Sequence, residues 1–263
     1  MPSPQKTTRP SKASKPLEGS PLGSPADIAS TAQSVRKMFE AVTPRYDFLN
    51  HLLSAGFDIH WRSVVARALG GALTQPRSVA LDVCCGTGDL AFALRRVAAG
   101  KVLAADFCQP MLQRARQKLG TNSVTFLGAD TLELPFRDCS VDVIASAFGF
   151  RNLANYALGL REMLRVLKPG GTAAILEFSR VRWPVFGPLF GFYFAHILPR
   201  IGTWISGVQG AYQYLHESAS RFPDQEALTL AMRRAGLVGV SYRNLLGGVA
   251  ALHRGTKPES RKR

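Results

Sequence analysis

Residues 78–91, Ser-Val-Ala-Leu-Asp-Val-Cys-Cys-Gly-Thr-Gly-Asp-Leu-Ala, pass from an apolar strand pattern through a glycine pair into a helix pattern. No other stretch constrains the fold as tightly. Gly86 and Gly88 mark a turn where backbone N–H groups at a helix start can meet a ligand unobstructed by side chains. Asp82 lies inside the strand before that turn. Asp106 closes the following apolar run, where a carboxylate can accept hydrogen bonds from a ribose. The pattern implies an α/β sheet that binds an adenosine-bearing ligand at its edge.

Two ligands satisfy the motif. Gly86-x-Gly88-x-x-Ala91, with Asp106 twenty residues beyond Gly86, meets the dinucleotide fingerprint. A carboxylate at Asp82 repels a pyrophosphate, however, and suits a cationic ligand such as S-adenosylmethionine, which carries an ammonium and a sulfonium. A plain strand-to-helix turn with no ligand shares the same spacing.

Alternating patterns continue from there. Strands are expected at 78–83, 101–106, 123–127, 141–147 and 172–178, with helices at 88–98 and 109–119. A further helix carries Leu153, Ala157, Leu160, Leu164 and Leu167 on one face and stops at Lys168-Pro169-Gly170-Gly171. Such repeats build a parallel sheet covered by helices. Upstream, Val35, Met38, Phe39 and Val42 recur at helical spacing from Ala32 until Pro44. A second helix is expected from an Asp58 N-cap through Ala72. A helix over 224–235 precedes two short runs, 238–245 and 249–253, which read as a hairpin around Gly247-Gly248.

The ends differ from this body. Residues 1–31 are rich in Ser, Pro and Lys and are expected to be disordered, 32–258 form one domain, and 259–263 are a basic tail. Net charge is +15, part of it in Lys6, Arg9, Lys12, Lys15, Arg261, Lys262 and Arg263. That surplus favours an anionic partner, a nucleic acid or an acidic membrane face, although solvated tails account for those residues alone. Cys84, Cys85, Cys108 and Cys139 form neither a C-x-x-C pair nor a zinc spacing, and no metal site is expected. A reducing cytosol fits, and the N-terminus lacks the apolar core of a secretory signal.

The topology then separates the two ligands. A sheet of alternating units closed by a C-terminal hairpin resembles the seven-stranded, Rossmann-like class I methyltransferase fold. The motifs Tyr46-Asp47-x-x-Asn50, Leu81-Asp82-Val83-Cys84-Cys85-Gly86-Thr87-Gly88-Asp89-Leu90 and Gly149-Phe150-Arg151-Asn152 go further. With Ala211-Tyr212-x-Tyr214-Leu215-x-x-Ser218 and Gly247-Gly248-Val249-Ala250-Ala251-Leu252-His253, they resemble the C-methyltransferase family of menaquinone and ubiquinone biosynthesis, its menaquinone branch above all. The likeness spans roughly residues 32–258.

That resemblance implies S-adenosylmethionine as methyl donor and a prenylated hydroquinone as acceptor, methylated on a ring carbon. Its cofactor contacts fall on Thr87, on Asp106 at the ribose with Phe107 beside it, and on Asp130 and Thr131 at the adenine. Asp82, Gly86 and Gly88 complete the set. The family's frequent serine on the fourth strand is Ala147 here, which leaves a backbone contact, and the first glycine of the general loop is Cys84. Arg151 is expected to stabilise a ring oxyanion and Asn152 to orient the ring, with Tyr46 or a water held by Arg151 as proton acceptor. Each has a plainer alternative: a helix-start ion pair for Arg151, a packed aromatic for Tyr46. His60 and His253 read as structural.

Residues 183–206 are aromatic-rich and broken by Gly and Pro, and their uncharged stretch is too short to span a bilayer. Within a helical insertion at 183–220 they can cover a prenyl tail, pack on the core, or form a homodimer surface. Peripheral contact with an anionic bilayer at the inner face of the cell membrane is expected. A nucleic-acid methyltransferase acting on exocyclic amines would carry Asn-Pro-Pro-aromatic where this chain has Phe148-Gly149-Phe150-Arg151-Asn152, so nucleic acid is not the expected substrate. A non-catalytic adenosylmethionine-binding protein is a third reading.

Overall fold

The computed structural model describes residues 27–43, 46–120, 123–181, 183, 186–198, 200, 204 and 211–259. Residues 1–26 of the tail expected over 1–31, the last four residues and much of 199–210 lie outside them, while 28–31, expected to be disordered, are helical.

Seven strands form one sheet: β1 (Val79–Val83), β2 (Lys101–Asp106), β3 (Val124–Gly128), β4 (Val141–Ala147), β5 (Leu167–Phe178), β6 (Val238–Leu245) and β7 (Ala250–Thr256). Their order is β3-β2-β1-β4-β5-β7-β6. The first five are parallel; β7 runs antiparallel between β5 and β6. The hairpin therefore closes one edge, as the sequence anticipates. The strand order reverses direction beside β1, between β2 and β4, and such a switch point leaves a crevice at the carboxyl ends of the strands.

Helices cover both faces: α1 (Ile28–Val42), α2 (Tyr46–Leu53), α3 (Phe57–Gly70), α4 (Asp89–Arg95), α5 (Gln109–Lys118), α6 (Tyr156–Val166), α7 (Phe186–Phe192), α8 (Ala211–Arg221) and α9 (Gln225–Arg234). Period-two alternation splits the strand residues between two cores. Ala80, Val143 and Ala174 pack with Trp61, Val65, Leu90 and Leu94 of α3 and α4. Their neighbours Leu81, Ile144 and Ile175 pack with Leu160, Met163, Leu228 and Met232 of α6 and α9. Each large side chain so buried contributes about 1.5–3 kcal/mol.

Several boundaries move for identifiable reasons. α1 starts at Ile28, four residues before the expected Ala32, because the Asp27 carboxylate caps it by accepting from the Ser30 N–H. α3 begins at Phe57 with Gly56 at its N-cap. Asp58 is not the cap: its carboxylate is taken by His51, Ser54 and Arg62. α3 also ends at Gly70, and a 3-10 turn covers Gly71–Leu73. β5 starts at Leu167, not Thr172, with Lys168–Gly171 forming a bulge between its pairings to Val141 and Val143 of β4. Gly170 and Gly171 hold that bulge by exchanging hydrogen bonds with Lys257 just past β7. In the 183–220 segment, α7 runs into a π-helical turn over Tyr193–Ile197, and α8 follows. Among the described residues, no helix is long and apolar enough to cross a membrane.

Candidate active site

The turn after β1 is built as its glycines require. Gly86 and Gly88 have φ of 53° and 85°, values that disfavour other residues, and a Cβ on Gly88 would stand 2.9 Å from the Phe126 ring. Asp106 at the end of β2 holds the turn closed. One of its oxygens accepts from the Gly86 N–H and the other from the Cys108 N–H, both at 2.8 Å. Each oxygen keeps a lone pair for a further donor. Cys84 and Phe148, at the ends of β1 and β4, also have positive φ of 53° and 59°. Gly149 lies against Cys84 so closely that a Cβ there would be 2.5 Å from the Cys84 Cβ. Strain of this kind concentrates at functional sites.

Above these strand ends is a cleft of about 870 Å³. Its wall brings together Tyr46, Asp82, Gly86, Thr87, Asp106, Phe107, Asp130, Thr131, Ala147 and Asn152, all expected from the sequence. Gly88 shapes the turn from behind, and Arg151 is not in the wall. Ala32 and Phe39 of α1 roof the cleft, a role the tail-to-helix boundary gave no hint of. Phe39 meets the Tyr46 ring edge-on at 6.0 Å.

The acids of the wall differ in how they are satisfied. Asp89 binds Lys118 at 2.6 Å, and Asp130 accepts from the Leu132 N–H at 2.9 Å. Asp82 is buried, and neither carboxylate oxygen makes a hydrogen bond of ordinary geometry, although the Ala91 N–H is near enough to pull its pKa down. Burial pushes its pKa well above the usual carboxylate range, with the Arg62 charge the largest influence pulling it down. Burial likewise raises Asp106, against the hydrogen bonds from Cys108 and Gly86. An orphaned buried carboxylate fits a ligand that brings positive charge and disfavours a pyrophosphate.

Arg151 makes a buried ion pair, as the plainer of its two expected readings has it. Its guanidinium donates to the Phe148 carbonyl and reaches Glu177 at 3.1 and 3.3 Å. The backbone N–H of Arg151 also donates to Glu177 at 3.0 Å. Both side chains are buried, at 6% and 1% exposure, so the pair clips the 3-10 turn Phe150–Asn152 to the end of β5. Arg151 does not line the cleft; Glu177 pairs with its Nη1, while its buried Nε has no hydrogen-bond partner. Burial pulls the Arg151 pKa down, but Glu177, Tyr46 and Tyr214 together outweigh it, and the net shift is upward.

Tyr46 faces the cleft, and burial raises its pKa despite the opposing charges of Arg151 and Arg62. Burial thus favours the protonated hydroxyl, with a hydrogen bond to Asn50 among the influences that pull the other way. Asn152 is oriented by the Tyr214 hydroxyl, which donates to its Oδ1 at 2.9 Å. His253 is structural: it is buried near Gln225, and burial lowers its pKa. His60 lies outside the cleft wall.

Arg62 and the Asp47 network were not foreseen. Arg62, on α3, is the only Lys or Arg among the described residues of the wall. Its guanidinium pairs with Asp58 at 2.5 Å and lies 5.4 Å over the Phe148 ring. Asp47 of α2 accepts from the Thr87 hydroxyl at 2.5 Å and pairs with Arg114 and Lys118 of α5, tying the roof to the glycine turn. Among the described residues His51, Asp58 and Asp89 bring ligand-type atoms within 4.8 Å of one another. Arg62 and Lys118 already supply the positive charge there.

A second, apolar cavity of about 540 Å³ adjoins the first, lined by Leu53, Phe57, Trp61, Phe178, Phe190, Tyr193, Phe194, Leu198 and Leu215, among others. Phe148 of the cleft stacks at a tilt on both Trp61, at 5.9 Å, and Phe178, at 4.9 Å, so these rings form a common partition. The described part of 183–206 thus packs over the sheet edge as well as leaving Leu189 and Phe192 exposed.

Residues 27–257 match the model of the ubiE/COQ5 methyltransferase family. The chain belongs to that family. A relative from Deinococcus radiodurans named demethylmenaquinone methyltransferase is 45% identical over 88% of this chain and 95% of its own length. One of the same name from Thermus thermophilus is 47% identical over 84% of this chain and all of its own. The fold recurs at lower identity. A SAM-dependent methyltransferase structure from Thermotoga maritima superposes with a TM-score of 0.61 at 20% identity, over 85% of this chain and 99% of that one. The cyclase SpnF reaches 0.61 at 18% identity, over 92% and 100%. The class I fold is thus shared, and the family membership identifies the chain as an S-adenosylmethionine-dependent methyltransferase.

Proposed function

We propose that this protein transfers a methyl group from S-adenosylmethionine to a ring carbon of a prenylated naphthoquinol, converting demethylmenaquinol to menaquinol in menaquinone biosynthesis. The relatives' shared name supports the substrate. The structural observation that carries the reading is the partition of Phe148, Trp61 and Phe178 between a polar cleft and an apolar cavity. A charged nucleoside belongs on one side and a ring with a greasy tail on the other.

The donor's seat falls on Thr87, Asp106, Phe107, Asp130 and Thr131, with Asp82 toward its positive charge and the Ala147 backbone beside it. When bound, the sulfonium supplies an electrophilic methyl group, so the transfer requires no metal. On the acceptor side, Tyr46 donates to a ring oxygen and Asn152 orients the ring. Hydrogen bonds to that oxygen stabilise the phenolate character that makes the neighbouring carbon nucleophilic. Arg151 acts through position: with Glu177 it fixes Asn152 and the Phe148 carbonyl. The ring carbon gains the methyl group, the carbon–sulfur bond breaks, and the displaced ring proton leaves to solvent.

Exposed apolar side chains support contact with a surface. Of thirteen large ones among the described residues, ten lie on 46–59, 183–204 and Leu246, segments that also contribute lining to the apolar cavity. An anionic bilayer at the inner face of the membrane fits these together with the basic surplus; a homodimer would cover the same side chains. Neutralising the tail lysines and arginines should weaken liposome co-sedimentation at low salt, and unchanged binding would remove the tails' part.

The test of function is incubation with labelled S-adenosylmethionine and, in parallel, reduced demethylmenaquinone, its benzoquinol counterpart and RNA. Label in the naphthoquinol supports the proposal. Label confined to the benzoquinol moves the protein to the ubiquinone branch, and label in RNA alone refutes a quinol substrate.

A further inference from the structure

Past α3 the sheet carries a concave surface that the methyl-transfer site does not use. α3 packs on β5, and beyond it β7 and β6 extend the same sheet face. Between α3 and those two strands runs an open groove of about 1080 Å³, lined by His60 and Arg67 from α3 and by Ser241, Arg243 and Arg254 from the strands. Register gathers the strand side chains: Ser241 stands opposite Arg254, and Arg243 opposite Leu252. Arg243 and Arg254 are therefore diagonal neighbours on one face. Tyr242, between Ser241 and Arg243, turns to the other face, where its ring lies beside His253 and its hydroxyl donates to Glu226. Among the described residues no acid lines the groove. None of its three arginines forms an ion pair with a described acid. Arg254 donates to the Ala68 carbonyl, which holds it against the last turn of α3, while Arg67 and Arg243 are exposed.

Like charges gathered without counter-ions repel one another and attract an anion. A guanidinium fork matches two phosphate oxygens with parallel hydrogen bonds. The surroundings of the groove identify what carries the phosphate. α3 leads from Arg67 and His60 back to Phe57, and β6 leads from Arg243 on to Leu246. Phe57 and Leu246 are both exposed, and both line the apolar cavity. Trp183, exposed as well, lies against Gly247, where a Cβ would stand 2.7 Å from its ring. A basic groove beside an apolar, tryptophan-bearing rim suits the headgroup level of a bilayer. Three residues separate His60 and Arg243 from that rim, about 5 Å along a helix and about 10 Å along a strand, comparable to the depth of the headgroup region. We propose that this groove binds the phosphate of an anionic phospholipid and so turns the Phe57–Leu246 rim of the apolar cavity toward the acyl chains. The site belongs to the folded domain and fixes an orientation, which neither a basic tail nor net charge can do. It requires nothing of the methyl acceptor.

The test compares wild type with Arg67→Gln/Arg243→Gln, sedimented at low salt with vesicles of phosphatidylglycerol and phosphatidylcholine. A basic residue at an anionic surface contributes a factor of roughly five, so the double variant should partition about twenty- to thirtyfold more weakly. Arg137→Gln/Arg161→Gln removes the same charge from exposed positions outside the groove. That control should stay within about threefold of wild type, since charges far from the surface are screened. Orientation is read by quenching: lipids brominated on their acyl chains should quench the added emission of Phe57→Trp and spare that of Arg161→Trp. Equal loss in both double variants, no loss in either, or equal quenching at the two positions overturns the proposal. Saturable binding of inorganic phosphate that Arg67→Gln/Arg243→Gln abolishes, with vesicle partition unchanged, assigns the groove to a soluble phosphate compound and overturns it as well. Groove-dependent binding of a polyglutamate peptide, again with vesicle partition unchanged, makes the partner an acidic protein instead of a lipid. No readout here requires turnover, so failure would leave the methyl-transfer reading intact.

Discussion

Replacing Arg151 with Ala separates a structural role from a catalytic one. The change deletes the guanidinium bonds to the Phe148 carbonyl and to both oxygens of Glu177, leaving that buried carboxylate with only backbone donors from Arg151 and Phe178. Breaking a buried ion pair by removing one partner costs about 3–5 kcal/mol. For a domain of this size each kcal/mol lowers Tm by about 2–4 °C, so the expected fall is about 6–20 °C. Thermal unfolding followed by circular dichroism reads it directly. The double variant Arg151→Met with Glu177→Gln removes both charges and should be more stable than Arg151→Ala. Turnover is expected to fall in step with the loosening of Asn152. Arg151→Ala with wild-type Tm and abolished turnover would refute this reasoning, placing the guanidinium on the substrate instead.

Three further outcomes are expected. Burial raises the Asp82 pKa well above the usual carboxylate range, and an ammonium beside it favours the ionised form, so below that raised pKa donor binding should expel a proton. Donor affinity should then rise with pH until the raised pKa is passed and level off, and Asp82→Asn should flatten the profile; calorimetry in buffers of different ionisation enthalpy reads the proton. Gly149→Ala, at a φ of −117° that alanine accepts, sets a methyl group 2.5 Å from the Cys84 Cβ. It should cost about 1–3 kcal/mol and weaken donor binding, measured by denaturant unfolding and titration. Leu215→Trp fills part of the apolar cavity and should lower kcat/KM for long-chain prenylated acceptors while sparing a short-chain analogue.

The sheet and the glycine turn were legible because local rules govern them. Alternation assigns strand faces, and Gly86 and Gly88 occupy positions that positive φ reserves for glycine. The hairpin was legible from its diglycine. α2 was not, since Tyr46–Leu53 is short and its polar residues Asp47, Asn50 and His51 interrupt any clean apolar face. The same limit applies to the site. Arg151 and Glu177 are 26 residues apart and meet only because β4 and β5 are neighbours, so no spacing rule links them. Arg62, four residues after Asp58, reads in sequence as an ordinary exposed i,i+4 helix pair. Its burial against Phe148 depends on where α3 lands on the sheet.

The proposed reaction places the methyl group on carbon. Incubating the protein with reduced demethylmenaquinone and a donor bearing a trideuterated methyl group, then locating the deuterium by NMR, tests that claim directly. Deuterium on a carbon of the naphthoquinol ring is the predicted result. Deuterium on a ring oxygen, or none transferred by protein that binds the donor, would contradict it.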